Sequence, residues 1–377
     1  MAATVSWDGL RDLAGFRAEK GCAISFYIDL DPSVTPTAAD ADSRVRSLLD
    51  QGEKAERREL SHEQREALKA DFARIADYFE QEFDRDGAHG LAIFSAGLDN
   101  VWRPLPLSQR VDDRVRTGRE FYLAPLVPLV GRGEGALVAA VGRERGDIYQ
   151  LRAGRLEEIV SRHDETPGHH DQGGWSQARY QRHIEELAAR HLRAVAEELD
   201  RQVRRLRGPR VVVVSTEETR ADFDEALSNE ARAAIIGWEQ AEAHATSAEL
   251  LDVVQPVLEK WRAGQEEEAI ARWRAEAGRN GRAASGWAAT LEAASDGRVE
   301  LLLFQDGADH AAWQCPACGR VGYEGGPCPL DGTSMEERDD GLDLAVHKTL
   351  AHGGTVLAVQ HHHDLEPVEG VGALLRY

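Results

Sequence analysis

Residues 176–206 constrain this chain more than any other stretch. They read as one long helix, charged over most of its surface, with Leu187, His191, Ala194, Leu199 and Val203 available for a single buried stripe. Gly208-Pro209 stops it, and Arg210–Ser215 (RVVVVS) follows at once, a compact apolar run between turn signals that reads as a buried strand. A long amphipathic helix feeding such a strand calls for helices layered on a sheet. Upstream, Ala136–Gly142, Asp147–Leu151 and Leu156–Val160 form a meander of short strands, with turns at Arg145-Gly146 and Ala153-Gly154. Downstream, Thr246–Ala277 is a second long helical stretch, with a kink expected at Pro256 and Glu266-Glu267-Glu268 expected on its solvated side.

The first of these helices rises from a loop of small and polar residues, Pro167 to Gly174, and continues through Trp175-Ser176-Gln177-Ala178-Arg179-Tyr180-Gln181-Arg182-His183. A phosphate-cradling loop would follow a strand and carry a Walker or dinucleotide pattern, and neither is present. A nucleophile elbow needs glycines flanking its serine, and Ser176 has none. What remains is a glycine tip bearing a glutamine amide, backed by Arg179, Arg182, His183, Arg190 and Arg193 on neighbouring helical faces. Those side chains suit either a phosphate backbone or plain solvent.

On either side lie two further segments. The first holds a strand at Cys22–Leu30, a helical stretch from Ser43 to about Phe83 that a break at Gly52 or Ser61 would divide, a strand at His89–Ser95 and a third at Val101–Arg103. The last alternates helices at Ala284–Ala294 and Leu342–Ala351 with strands at Val299–Phe304 and Thr355–Gln360. The expected architecture is therefore α/β and α+β in three domains. Residues 1–127 form an α+β domain, 128–280 a mixed sheet with long helices and the glycine tip, and 281–377 a small α/β sandwich carrying an insertion at 312–336.

That insertion holds three of the four cysteines, as Cys315-Pro316-Ala317-Cys318-Gly319 and, nine residues later, Cys328-Pro329-Leu330-Asp331-Gly332. Paired knuckles of this kind aim donors at one tetrahedral ion, the pattern of a zinc ribbon. Asp331 stands where a fourth thiolate would be. Two readings stay open: a structural zinc held by Cys315, Cys318, Cys328 and Asp331, or a ribbon that has kept its turns without metal. Cysteines so few and so clustered are no disulfide framework and suit a reducing compartment. His361-His362-His363 follows a strand, where side chains alternate faces, so it reads as a solvated strand end. The net charge of −21 argues against a protein that coats DNA or RNA indiscriminately. No apolar run approaches the roughly 20 residues of a membrane span, and a cytoplasmic protein is expected.

Taken together, the glycine tip with Gln177 and its helix, the later run Gly286-Trp287-Ala288-Ala289-Thr290-Leu291-Glu292 through Val299–Leu302, the ending Gly370–Tyr377 and the inserted ribbon resemble the archaeal and eukaryotic class I peptide release factor superfamily, which includes Pelota. The resemblance runs from about residue 130 to the end and points to a bacterial member. It implies a ribosome-associated release or rescue factor that enters the A site, contacts ribosomal RNA and peptidyl-tRNA, and promotes hydrolysis of the peptidyl ester. Gly173, Gly174 and Gln177 would form the catalytic tip, with Gln177 placing the water, and Arg179, Arg182, His183 and Arg190 would contact RNA. The middle domain would mimic a tRNA arm, and a translational GTPase is a further partner the family suggests. Trp175 and Ser176 split the family's Gly-Gly-Gln tripeptide, and the first segment lacks the Asn-Ile-Lys-Ser loop of stop-codon readers, so release independent of a stop codon is expected. The alternative is a non-catalytic A-site binder that protects or hibernates ribosomes.

Overall fold

A computed structural model describes residues 5–55, 61–85, 87–130, 135–152, 154–163, 175–206, 209–241, 245–279 and 281–377. Among the described residues it is a mixed α and β structure with four sheets. By packing, Met1–Arg132 together with Ala263–Tyr377 form one compact unit and Gly133–Arg262 the other.

The chain opens with α1 (Trp7–Ala14), β1 (Ala23–Asp29), α2 (Ala38–Ala55), α3 (His62–Gln81), β2 (Gly90–Ala96), β3 (Val101–Leu107) and β4 (Arg114–Gly118). The strands form an antiparallel sheet in the order β3-β2-β1-β4. Along β1, Ile24, Phe26 and Ile28 face Leu68, Phe72, Ile75 and Phe79 of α3, while Ala23 and Tyr27 face a second core. The expected helical break falls at Ser61, whose hydroxyl accepts the Gln64 N–H while the Gln64 side chain accepts the Ser61 N–H, a reciprocal cap. Gly52 lies inside α2, where a Cβ would meet Phe72 at 2.9 Å and Val115 at 2.8 Å.

The second unit holds β5 (Ala136–Val141), β6 (Arg145–Arg152), β7 (Arg155–His163), α4 (Trp175–Arg205), β8 (Arg210–Ser215), α5 (Glu217–Ala226), α6 (Asn229–Ala234), β9 (Ile235–Glu239) and the start of α7 (Ser247–Gly278). The sheet runs β7-β6-β5-β8-β9, an antiparallel meander extended by two parallel strands. Alternation sorts its two faces. Leu137, Ala139, Val211 and Val213 pack with α4 and α5; Ala136, Val138, Val212 and Val214 pack with Leu250, Val254 and Leu258 of α7. The meander and β8 match the sequence reading. Strand β9 (IIGWE) escapes it, because Gly237 breaks the apolar run; the close packing of α7 explains the glycine, since a Cβ there would lie 2.4 Å from Val257 Cγ1. Pro256 lies within α7, which continues to Gly278.

Past Arg262, α7 belongs to the first unit. There follow β10 (Ala283–Ser285), α8 (Gly286–Ser295), β11 (Val299–Gln305), β12 (Ala312–Gln314), β13 (Val321–Gly322), β14 (Glu336–Arg338), α9 (Gly341–Ala351), β15 (Thr355–Val359) and β16 (Val371–Leu375). The main sheet is β10-β16-β11-β15, and β13-β12-β14 form a separate small sheet. Ala269, Ile270 and Trp273 of α7 cover one face of the main sheet, while α8 and α9 cover the other. The latter helices share a core with Tyr27, Phe94 and Phe121 of the N-terminal segment. Polar contacts reinforce that junction: Asp343 accepts the Leu123 and Ala124 N–H groups at 2.6 and 2.9 Å.

One sequence expectation is corrected here. Glu266 does not lie on a solvated side. It is 4% exposed, its Oε2 accepts the Gln360 and His361 N–H groups at 2.9 Å each, and its Oε1 lies 2.8 Å from His361 Nδ1. Glu267 and Glu268 are exposed as expected. His361 is thus tied to α7, as is His362, whose Nε2 lies 3.1 Å from the Ala263 carbonyl oxygen.

Candidate functional site

Two places carry the chemistry anticipated from sequence. The first is the start of α4. Gly173 and Gly174 lie outside the described residues, as do the side chains of Gln177 and Arg179. The backbone of Gln177 is helical, in the first turn of α4. Helix geometry leaves the first N–H groups, those of Trp175, Ser176 and Gln177 among them, without intrahelical acceptors.

What holds this helix is plain. Among its described side chains Ala188, His191, Leu192, Val195, Ala196, Leu199, Gln202 and Val203 are buried. Compared with the stripe read from sequence, His191, Leu199 and Val203 stand, while Leu187 and Ala194 are only partly buried, flanking a seam that Leu192, Val195 and Ala196 fill. At the centre of the seam Val195 meets Gly146 of β6, where a Cβ would lie 2.4 Å from Val195 Cγ2. Gly146, expected in a turn, instead lies in β6 and permits the close approach of helix to sheet.

Arg182, His183, Arg190 and Arg193 are exposed along the outer side of α4. Toward the other end the charges balance. Arg201 pairs with Glu198 at 2.7 Å, Arg204 pairs with Glu230 at 3.0 Å and with Asp200, and Arg210 lies over the Trp261 ring at 4.4 Å. Those arginines are engaged within the unit.

The second place is the cysteine insertion, where the structure brings together all four residues singled out from sequence. The donor atoms of Cys315, Cys318, Cys328 and Asp331 all lie within 4.8 Å of one another. Two loops with the same hydrogen bonds achieve this. In the first, the Gly319 N–H donates to Cys315 O and the Cys315 N–H to Arg320 O; in the second, Gly332 donates to Cys328 O and Cys328 to Thr333 O. Gly319 and Gly332 have φ of 74° and 75°, the left-handed conformation each turn needs. Asp331 therefore occupies the position in the second loop that Cys318 holds in the first. Cys315 Sγ lies 3.5 Å from Asp331 Oδ2, and Cys318 Sγ 3.5 Å from Cys328 Sγ. Cys315 and Cys328 are buried, whereas Cys318 and Asp331 face solvent.

The electrostatics of the four donors are uneven. The Thr333 N–H and hydroxyl hold Asp331 down at about 2, so it is ionised. The Cys318 N–H lowers Cys315. At Cys318 the Arg320 N–H acts downward, but desolvation and proton sharing with Cys315, Cys328 and Asp331 outweigh it and push the thiol up to about 11. Without a cation the cluster keeps protons that a bound metal would displace.

The family model "Bacterial archaeo-eukaryotic release factor family 10" matches residues 122–259. Over 365 residues the chain is 22% identical to peptide chain release factor subunit 1 of Archaeoglobus fulgidus, covering 89% of this chain and 87% of that protein. Similar solved structures include the archaeal translation termination factor aRF1, at 17% identity and 99% coverage of both chains with a TM-score of 0.28. Another is that of ribosome-bound archaeal Pelota and ABCE1, at 17% identity and 76% coverage of both chains with a TM-score of 0.45. Residues 122–259 thus match the bacterial archaeo-eukaryotic release factor family 10, and the chain is similar along most of its length to an archaeal peptide chain release factor, a likeness consistent with a bacterial member of that superfamily.

Proposed function

We propose that this protein is a ribosome-associated release or rescue factor that enters the A site and promotes hydrolysis of peptidyl-tRNA without reading a stop codon. Three segments share the work: 1–127, 128–280 carrying the tip, and 281–377 carrying the metal site, with the first and third joined by a common core. The observation that carries the proposal is the placement of Gln177 in the first turn of a 31-residue helix seated on a five-stranded sheet, in a segment matched by the release factor family. A helix so supported delivers its N-terminal turn as a rigid probe.

In this reading Gly173 and Gly174 give the chain room to enter a narrow RNA cavity, and the Gln177 amide orients water toward the ester carbonyl without introducing charge. The N–H groups of the first turn stabilise the oxyanion as it develops. Arg179, Arg182, His183 and Arg190 contact ribosomal RNA, and the tip contacts peptidyl-tRNA. Ribosomal work sets the location in the cytoplasm; none of the described helices is long and apolar enough to cross a membrane. A translational GTPase is proposed as delivery partner on the family resemblance.

We further propose a structural zinc held by Cys315, Cys318, Cys328 and Asp331. Tetrahedral bonds of usual length set thiolate sulfurs about 3.8 Å apart and sulfur to carboxylate oxygen about 3.5 Å apart. The 3.5 Å separations found here fit that cage. The ion would cross-link two loops that bury little apolar surface.

The test is a Gln177→Ala variant added to stalled ribosomes carrying labelled peptidyl-tRNA. Retained ribosome binding with release lowered 100-fold or more supports the catalytic reading. Unchanged release overturns it. The insertion of Trp175 and Ser176, which sets Gln177 within a helix, favours one second reading: a non-catalytic occupant of the A site. That reading predicts no release by the wild-type protein at all.

A further inference from the structure

The cysteine cluster has an asymmetry that structural metal binding does not require. Three of its donors are thiols and the fourth is an exposed carboxylate, so one arm of the cage is an oxygen open to water. The thiol pair in contact, Cys318 and Cys328 at 3.5 Å, joins different loops. Of that pair Cys318 is exposed, while Cys328 is 3% exposed directly behind it. The third thiol, Cys315, has no exposure; its sulfur lies 3.5 and 3.6 Å from the two Asp331 oxygens and within 4.8 Å of the other two sulfurs. An oxidant arriving from solvent therefore meets Cys318 first and finds Cys328 as the sulfur poised to resolve the product. The remaining thiol, Cys22, lies outside this cluster, just before β1 and packed against the core beneath that sheet.

We propose that Cys318 and Cys328 are a reversible thiol–disulfide switch, driven by a hydroperoxide, that opens the cage and releases its cation. The exposed Cys318 sulfur loses its proton to solvent and attacks one peroxide oxygen, breaking the O–O bond and giving a sulfenic acid and one hydroxide or alkoxide. The Cys328 thiolate then attacks the sulfenic sulfur, forming the S–S bond and expelling a second hydroxide. Two electrons have left the two sulfurs and reduced one peroxide. Only Cys315 and Asp331 would then remain as donors, too few to hold a cation at the site. A dithiol reductant returns two electrons and restores the site. The release half of this switch rests on the zinc reading, whereas the disulfide half stands on the sulfur geometry alone.

The experiment uses the full chain, purified with its metal and, separately, after stripping. Each form receives equimolar to tenfold hydrogen peroxide. Thiols are counted after denaturation, cross-linked peptides are mapped by mass spectrometry, and released metal is followed with a chromogenic chelator. The expected result is a fall from four free thiols to two, one cross-linked peptide pair joining Cys318 to Cys328, and metal release in step with it, all reversed by dithiothreitol. Cys318→Ser should abolish the cross-link and slow peroxide consumption by the remaining thiols roughly tenfold or more, because the exposed sulfur is gone. Mapping the wild-type chain keeps the test decisive if that variant folds poorly. A disulfide engaging Cys315 or Cys22, or over-oxidation of Cys318 without a cross-link, overturns the proposal. A chain that binds no metal yet forms the 318–328 cross-link overturns the zinc reading and upholds the switch.

Discussion

Replacing Gly146 with alanine tests how the candidate tip is supported. The added methyl would lie 2.4 Å from Val195 Cγ2 and 3.0 Å from Cγ1. Neither partner has an easy escape. Val195 is β-branched inside a helix, where one χ1 rotamer takes about 90% of the population. Gly146 is fixed on both sides, opposite Val141 of β5 and Arg162 of β7. The clash must therefore be relieved by moving α4 away from the sheet, at a cost of about 1–3 kcal/mol. Because the chain has two compact units, the effect is best read locally, by hydrogen exchange in peptides of α4 and β6. The expected acceleration is roughly 5- to 150-fold where exchange follows opening of this layer. Val195→Ala alone removes two buried methyl groups and costs about 2 kcal/mol. Combined with Gly146→Ala, it makes room for the new methyl, so the double variant should be more stable than the sum of the singles by at least about 1 kcal/mol. Wild-type protection in Gly146→Ala, or strict additivity in the pair, would refute the close-approach explanation of this glycine.

Three further outcomes follow from the geometry. Burial pushes Asp343 up to about 6, so the folded chain holds a proton that the unfolded chain loses near 3.8. That contribution to stability is complete below the lower value and lost as pH rises through about 6, at most about 3 kcal/mol in all; Asp343→Asn, whose carbonyl still accepts from Leu123 and Ala124, should flatten the pH dependence of unfolding across that window, and an unchanged slope would count against it. Asp331→Ala should lower metal affinity 10-fold or more and Asp331→Cys should retain or raise it, measured by chelator competition; equal affinities in all three proteins would remove Asp331 from the site. Ribosome affinity should fall as salt rises, and charge reversal at Arg182 and Arg190 together should weaken both the affinity and its salt slope, whereas reversal at Arg204, already paired with Glu230, should do neither.

Local patterns along the chain determined a good deal of this protein. The unbroken apolar run in Arg210–Ser215 marked a strand buried on both faces, and the periodicity between Ser43 and Phe83 marked helix, because those signals need only neighbours in sequence. The two knuckles were equally legible, since a turn with glycine after its second donor is a local device. Tertiary structure alone decided the rest. Glu266 looked solvated amid Glu267 and Glu268; it is buried because residues almost a hundred positions away offer it two backbone N–H groups and an imidazole. Gly146 and Gly237 looked like a turn and a break, yet each is a point where a helix comes too near a sheet for any side chain. Only the folded chain brings Cys318 against Cys328, across two separate loops. Patterns short in sequence are written by one residue's own geometry; contacts between distant residues depend on which of many compatible surfaces finally meet.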